Sequence, residues 1–83
     1  MKYGLYSLRD ACTGFLNISL DTNNQTATRN FAHAAKNTDS LFFTNPSDYT
    51  LYKLGEFESD TGSITLLEIP ERVVCADQLN RKE

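Results

Sequence analysis

Two pairs of strand-like segments flank one short amphipathic helix, and this order is the feature that most constrains the fold. Lys2–Arg9 and Phe15–Leu20 show the alternation of β-strands and are joined by a glycine-containing turn, so they predict a hairpin. Tyr49–Glu58 and Ser63–Ile69 predict a second hairpin in the same way. The pattern therefore predicts an α+β domain of order ββαββ, with a four-stranded antiparallel sheet and one helix.

The helix is expected to begin near Asp21 or Thr22, with Gln25 completing a capping box. Asn37 is its predicted end. A thin apolar stripe at helical spacing consists of Ala27, Phe31, Ala34 and Ala35. Such a small-residue stripe favours a helix that lies close against the sheet.

The chain has 83 residues, which is enough for one small domain. We assign residues 1–75 to this domain and residues 76–83 to a polar C-terminal tail. Pro70 is expected to end the pairing of the fourth strand, with residues 71–75 continuing as an edge segment. A domain of this size gains little stability from its own core, so association with a second copy would help it.

Apolar side chains occupy both faces of the first and third predicted strands. On the third strand, Tyr49, Leu51 and Phe57 are predicted on one face and Tyr52 and Leu54 on the other. Because one helix covers only one face of a sheet, we predict a homodimer that buries the second face. The residues predicted at the dimer interface are Tyr6, Leu8, Tyr52 and Leu54.

The chain also contains a segment that could cover the second face without a partner. A Leu-Phe-Phe sequence at 41–43 follows the helix and is apolar enough to plug the edge of the core. Together with the C-terminal tail it could make the domain monomeric, so this alternative stays open.

Charge and composition exclude several classes of function. Lys and Arg number 8 against 11 Asp and Glu, so the net charge of −3 counts against a general nucleic-acid binder. One histidine and two separated cysteines cannot form a zinc site, and no phosphate loop or nucleophile motif is present. We therefore expect no metal, no cofactor, no catalytic residue and no enzymatic activity.

The histidine and the cysteines have simple structural interpretations. His33 and Cys12 could act as a base and thiol pair, but a surface histidine on the polar side of the helix is the favoured reading. A disulfide between Cys12 and Cys75 stays open, although the absence of an export signal favours reduced thiols. No apolar run is long enough to span a membrane.

Two features could contact nucleic acid despite the acidic balance. Arg29, His33 and Lys36 lie one to two helical turns apart, opposite the apolar stripe, where they could meet phosphates. Tyrosines and lysines also interleave around Tyr6 and Tyr52, a pattern that could stack single-stranded bases. The alternatives are a solvated helix face and tyrosines that build the core and the dimer interface.

Several motifs in this order resemble a known family. They are Met1–Asp10, a Thr13–Phe15 return, Gln25–Phe31 and Asp48–Phe57 followed by Asp60–Gly62. The chain resembles, over roughly residues 1 to 72, the small nonstructural protein of gokushovirus-like Microviridae, phages with circular single-stranded DNA. The resemblance implies a nonstructural, DNA-binding protein of the infected bacterial cytoplasm that assists the switch from genome replication to single-strand synthesis and packaging.

Two hypotheses follow from this combination. In the first, the protein binds single-stranded viral DNA, or replication or procapsid proteins, and the residues expected to contact DNA are Lys2, Tyr6, Arg29, Lys36, Tyr52 and Lys53. In the second, the protein is an interaction module that engages viral or host proteins through its apolar sheet face and never contacts nucleic acid. The acidic balance favours the second, and the resemblance favours the first.

Overall fold

The computed structural model describes residues 1–35 and 46–79. The elements in chain order are β1 (Lys2–Asp10), β2 (Gly14–Asp21), α1 (Asn24–Ala35), a 3₁₀ turn (Pro46–Asp48), β3 (Tyr49–Glu58), β4 (Ser63–Cys75) and α2 (Ala76–Leu79). The strands form one antiparallel sheet in the order β2-β1-β3-β4. The predicted α+β class and ββαββ order are confirmed. Lys36, Asn37, the 41–43 segment and the end of the tail lie outside the described residues.

The helix α1 begins later than the sequence predicts. Asn23 is its cap, because the Asn23 side-chain oxygen accepts a 2.8 Å hydrogen bond from the backbone N–H of Thr26. Asp21 cannot serve as the cap, since it is still paired with Gly4 in the sheet. Its carboxylate instead accepts a 2.9 Å bond from the side-chain amide of Asn30, which ties the helix to the end of β2.

The hydrophobic core lies between α1 and one face of the sheet. Its buried members are Tyr6, Ala27, Phe31, Tyr49, Leu51 and Ala76, with Leu8, Val73 and Val74 packed at the margin. Ala27 and Phe31 belong to the predicted helical stripe, so that part of the prediction is confirmed. The small side chain of Ala27 lets the helix backbone approach the sheet closely.

β1 is the regular centre of the sheet, and both of its neighbours carry an extra residue. The pairing of β1 with β2 shifts between Ser7 and Leu8, where Asn17 adopts a positive φ of 39°. The pairing with β3 shifts between Leu5 and Tyr6, where Leu54 is the additional residue. Each bulge changes which face the following side chains occupy, because a shift of one residue reverses the alternation.

We call the sheet surface turned away from α1 the outer face. β1 contributes Tyr3, Leu5 and Ser7 to it, because they alternate with the core residues Tyr6 and Leu8. The residues directly opposite on the other strands, which share this face, are Ile18, Leu20, Tyr52, Gly55, Phe57, Ile64, Leu66 and Arg72. Leu5 and Ser7 on β1 are buried, whereas Ile18 and Leu66 on the edge strands are each 67% exposed, so the outer face is apolar and open to solvent along its edges.

Three predicted placements are wrong, namely those of Tyr6 and Leu8 at the interface and that of Phe57 beside Leu51. Tyr6 and Leu8 lie on the helix side, where Tyr6 has no exposed surface, so neither can line an interface on the uncovered face. Phe57 lies on the outer face rather than beside Leu51, because the bulge at Leu54 reverses the alternation of β3.

The start of the predicted tail, Ala76–Leu79, forms the short helix α2. Ala76 has no exposed surface and lies in the core, so the predicted boundary between domain and tail at residue 76 is wrong. The reason is that Ala76 is apolar and follows directly on β4. Pairing of β4 with β3 stops at Leu66 and resumes at Glu71, which leaves Pro70 in an interruption of the pairing as expected.

Gly55 is required by a close approach of β3 to β4. A Cβ atom at this position would fall on the backbone carbonyl oxygen of Thr65 and within 2.9 Å of the Cα atom of Leu66. We expect Gly55→Ala to lower the free energy of unfolding by about 1–3 kcal/mol, because backbone atoms must move to admit the methyl group. Urea unfolding measures the change, with the exposed Ser63→Ala as control, for which we expect a change within about 0.5 kcal/mol. Equal losses in both variants would contradict this explanation.

An ion pair holds the start of β1 against the β3–β4 turn. The amino group of Met1 lies 2.7 Å from the Glu58 carboxylate and 3.1 Å from that of Asp60. The backbone N–H of Ser59 also donates a 3.0 Å bond to the carbonyl of Met1. The hydrogen bond with the Met1 amino group lowers the pKa of Glu58, and the same bond raises the pKa of the amino group.

These two shifts predict a window of pH in which the ion pair stabilises the fold. A lowered pKa at Glu58 contributes stability above its ordinary value of 4.5 and loses it as the pH falls through the folded value. A raised pKa at the amino group contributes stability below its ordinary value of 8.0 and loses it as the pH rises through the folded value. We therefore expect the Tm difference between the unaltered chain and Glu58→Gln to be largest between about pH 5 and 8. A constant difference from pH 3 to 10, or the same profile for the exposed Glu68→Gln, would contradict this.

Candidate nucleic-acid interface

A polar cleft lies where the start of β1, the start of α1 and the middle of β3 meet. It has a volume of about 340 Å³. Its lining residues are Lys2, Tyr3, Gly4, Tyr6, Thr22, Asn23, Asn24, Lys53 and Glu56. Three of the six residues predicted to contact DNA, namely Lys2, Tyr6 and Lys53, are thus brought to one place by the fold.

Tyr6 forms the floor of the cleft and links the sheet to the helix. Its hydroxyl donates a 2.6 Å hydrogen bond to the side-chain oxygen of Asn24, the first residue of α1. Burial raises the pKa of Tyr6, and the carboxylates of Asp21, Glu71 and Glu56 raise it further. Both effects favour the protonated hydroxyl, which is the form that donates to Asn24.

Two lysines converge on one carboxylate at the rim of the cleft. The ammonium nitrogen of Lys53 lies 3.7 Å from one oxygen of Glu56, and that of Lys2 lies 3.8 Å from the other. The side chain of Lys53 is 21% exposed, whereas that of Lys2 is 70% exposed. Lys53 is thus the more enclosed of the two cations, and both lysines share the carboxylate of Glu56.

The start of α1 adds polar groups to the same cleft. Asn23 and Asn24 both line it, and Asn23 caps the helix. The N-terminus of a helix carries a partial positive charge from its aligned backbone N–H groups. The helix end and the two lysines are the groups that could hold an anion in the cleft, against the carboxylates of Glu56, Asp21 and Glu71 that surround Tyr6.

The remaining predicted contact residues lie elsewhere. Tyr52 is on the outer face, where its ring meets that of Phe15 edge to face, with centroids 5.5 Å apart. Arg29 is exposed on α1, and Lys36 lies outside the described residues. The predicted stacking role of Tyr6 is corrected, because a ring with no exposed surface cannot stack on a base. The structure therefore does not assemble the six residues into one surface.

Sequence reasoning missed the polar partners of the cleft. Glu56 was read only as part of a solvated strand, although its spacing of three residues from Lys53 placed it within reach of that lysine. Asn23 and Asn24 fall inside the first turn of the predicted helix, whereas the structure makes Asn23 the cap and Asn24 the first helical residue. Arg9, whose guanidinium lies 5.9 Å from the centre of the Phe15 ring, was also missed.

Other kinds of site can be assessed only within residues 1–35 and 46–79. In that part of the chain, no group of three His, Cys, Asp or Glu side chains is arranged to hold a metal ion. No helix within it is long and apolar enough to cross a membrane. Cys12 is exposed in the β1–β2 turn, while the thiol of Cys75 is buried 3.8 Å from the carbonyl of Ser47, so the two do not form a disulfide.

The hydrogen bond between Tyr6 and Asn24 should be measurable as a coupling energy. We expect Tyr6→Phe to lower the free energy of unfolding by about 1 kcal/mol, because the bond is lost while the ring still fills its site. Asn24→Ala should cost a similar amount, and the double variant should cost little more than either alone. Thermal or urea unfolding of the cycle measures this, with Tyr3→Phe as control. Additive losses would show that the two groups act independently.

Comparison with known proteins adds one match. A family model described as Phage ORF5 protein matches residues 3–79, which is nearly the whole chain. No curated protein and no solved structure matches the chain.

Proposed function

We propose that this chain, which belongs to the Phage ORF5 protein family, is a non-enzymatic nonstructural phage protein that binds single-stranded DNA. The observation that carries the proposal is the cleft, in which Lys2 and Lys53 meet beside the start of α1. Lysines and helix N-termini are common ligands of nucleic-acid phosphates.

In this proposal the cleft contacts the phosphate backbone of the DNA and not its bases. Tyr6 lies beneath the cleft and is closed to stacking, while the ring of Tyr52 is on the opposite side of the sheet. Phosphate contacts position a strand without reading its sequence. Binding is therefore independent of sequence, and the preference for a single strand comes from the flexible backbone, which can bend into a cleft of this size.

The charges around the cleft make this binding weak and dependent on salt. Glu56 competes with phosphate for both lysines, and the chain as a whole carries a charge of −3. An incoming phosphate must displace the carboxylate from the lysines before it gains its own contacts. Such a site suits a protein that binds and releases DNA rather than one that coats it.

In the infected cell, the proposed role is to assist the switch from genome replication to single-strand synthesis and packaging. The resemblance to the nonstructural proteins of gokushovirus-like Microviridae supports this role and the host bacterial cytoplasm as its place. Replication or procapsid proteins are the protein partners that fit such a role.

The open outer face favours a second candidate function. Side chains such as Ile18 and Leu66 are exposed there, and an apolar surface of this kind can engage another viral or host protein. If the protein binds another protein rather than DNA, its net negative charge does not have to be offset by a local basic site. DNA binding tests the first candidate directly.

Two substitutions in the cleft should change DNA affinity in opposite directions. We expect Lys53→Gln to weaken binding and Glu56→Gln to strengthen it, because the first removes a cation and the second frees both lysines. With two phosphate contacts, the slope of log K against log salt should be about −1.4, falling to about −0.7 in Lys53→Gln. Fluorescence anisotropy of a labelled single-stranded oligonucleotide at several salt concentrations measures both quantities.

The controls separate the cleft from other surfaces. Gln25→Lys adds a positive charge at an exposed position of α1 outside the cleft, and a duplex of the same sequence tests the preference for a single strand. The double variant Arg29→Glu and Lys36→Glu tests the predicted helix stripe separately. Absence of binding at low salt, or equal affinities for Lys53→Gln and Glu56→Gln, would overturn the proposal.

A further inference from the structure

The outer face is the largest feature that the DNA-binding proposal leaves unexplained. Two of its cross-strand rows contain no charged side chain. One row consists of Leu5, Leu20, Gly55 and Leu66. The next consists of Tyr3, Phe57 and Ile64. From this face we infer that a second copy of the chain covers it, forming a homodimer in which two sheets pack face to face.

The balance of buried and exposed apolar groups supports a covered face. Among the described residues, eight hydrophobic residues are buried, whereas nine large hydrophobic side chains are exposed. By their strand pairing, five of the exposed ones belong to the outer face, namely Phe15, Ile18, Leu20, Ile64 and Leu66. A domain with so small a core is stabilised substantially when a second apolar layer is added.

The size of the face matches what a dimer requires. Four strands and a nine-residue β1 span roughly 20 by 30 Å, or about 600 Å² in projection. Projecting side chains have more accessible surface than their projection, and a standard interface buries about 800 Å² per partner. The face is therefore large enough for a stable pair.

The distribution of charge favours a copy of the same chain and sets its orientation. Arg9 and Arg72 both lie towards one end of the outer face, while Tyr3 and Phe57 lie towards the other. A two-fold axis across the strands brings the arginine end of one copy onto the uncharged aromatic end of its partner and so keeps the arginines of the two copies apart. An axis along the strands would instead bring four arginines together.

The proposed dimer leaves the cleft open. The cleft is on the helix side of the sheet, so two clefts face outward on opposite sides of the pair. Dimerisation and DNA binding are therefore independent, and failure of one proposal leaves the other unaffected.

The oligomeric state of the intact chain tests the proposal. Sedimentation and light scattering should give twice the chain mass of 9.4 kDa, and the Tm should rise with protein concentration. Leu66→Asp and Ile18→Asp should raise the dissociation constant about 100-fold or more, because each buries an unpaired charge. Gln25→Asp adds the same charge on the exposed side of α1 and should leave the dimer intact.

A native cysteine tests the orientation. Cys12 is exposed in the turn at the arginine end, whereas Cys75 is buried, so a spin label attaches at one position. The two labels should be about 30 Å apart or more when the ends are reversed, since they sit at opposite ends of the paired sheets. A distance under about 20 Å would overturn the orientation. A monomer with a Tm independent of concentration, or a dimer unaffected by Leu66→Asp and Ile18→Asp, would overturn the interface.

Discussion

The pairing of β1 with both of its neighbours is the constraint on which the rest of the structure depends. Its side chains alternate without interruption, while β2 and β3 each accommodate an extra residue beside it. This arrangement sends Tyr6 to the helix and Leu5 to the outer face. The core, the cleft and the open apolar surface all follow from that division.

The fold could be predicted because its main signals are local. Alternating strands, turn glycines and the Ala27–Phe31 stripe are visible in a short window of sequence. The bulges at Asn17 and Leu54 are not, because they arise from fitting one strand against another. Their effect is large, since Phe57 changes face and the predicted interface changes with it.

The candidate site shows the same contrast between residue type and placement. Sequence reasoning selected Lys2 and Lys53 for their charge, and the fold brings both to one cleft. It also selected Tyr6 for an exposed ring, although that hydroxyl serves the buried contact with Asn24. The role of an aromatic residue depends on which face it occupies, and that is decided only when the strands pair.

The interruption in β4 has a consequence for how this protein associates. Unpaired edge strands can template the addition of further chains and lead to aggregation. Here β4 is interrupted between Leu66 and Glu71 and contains Pro70, which has no N–H to donate, while β2 carries the bulge at Asn17. Neither edge offers an unbroken row of backbone groups to an incoming strand. Open-ended growth by the addition of strands at either edge is thereby disfavoured.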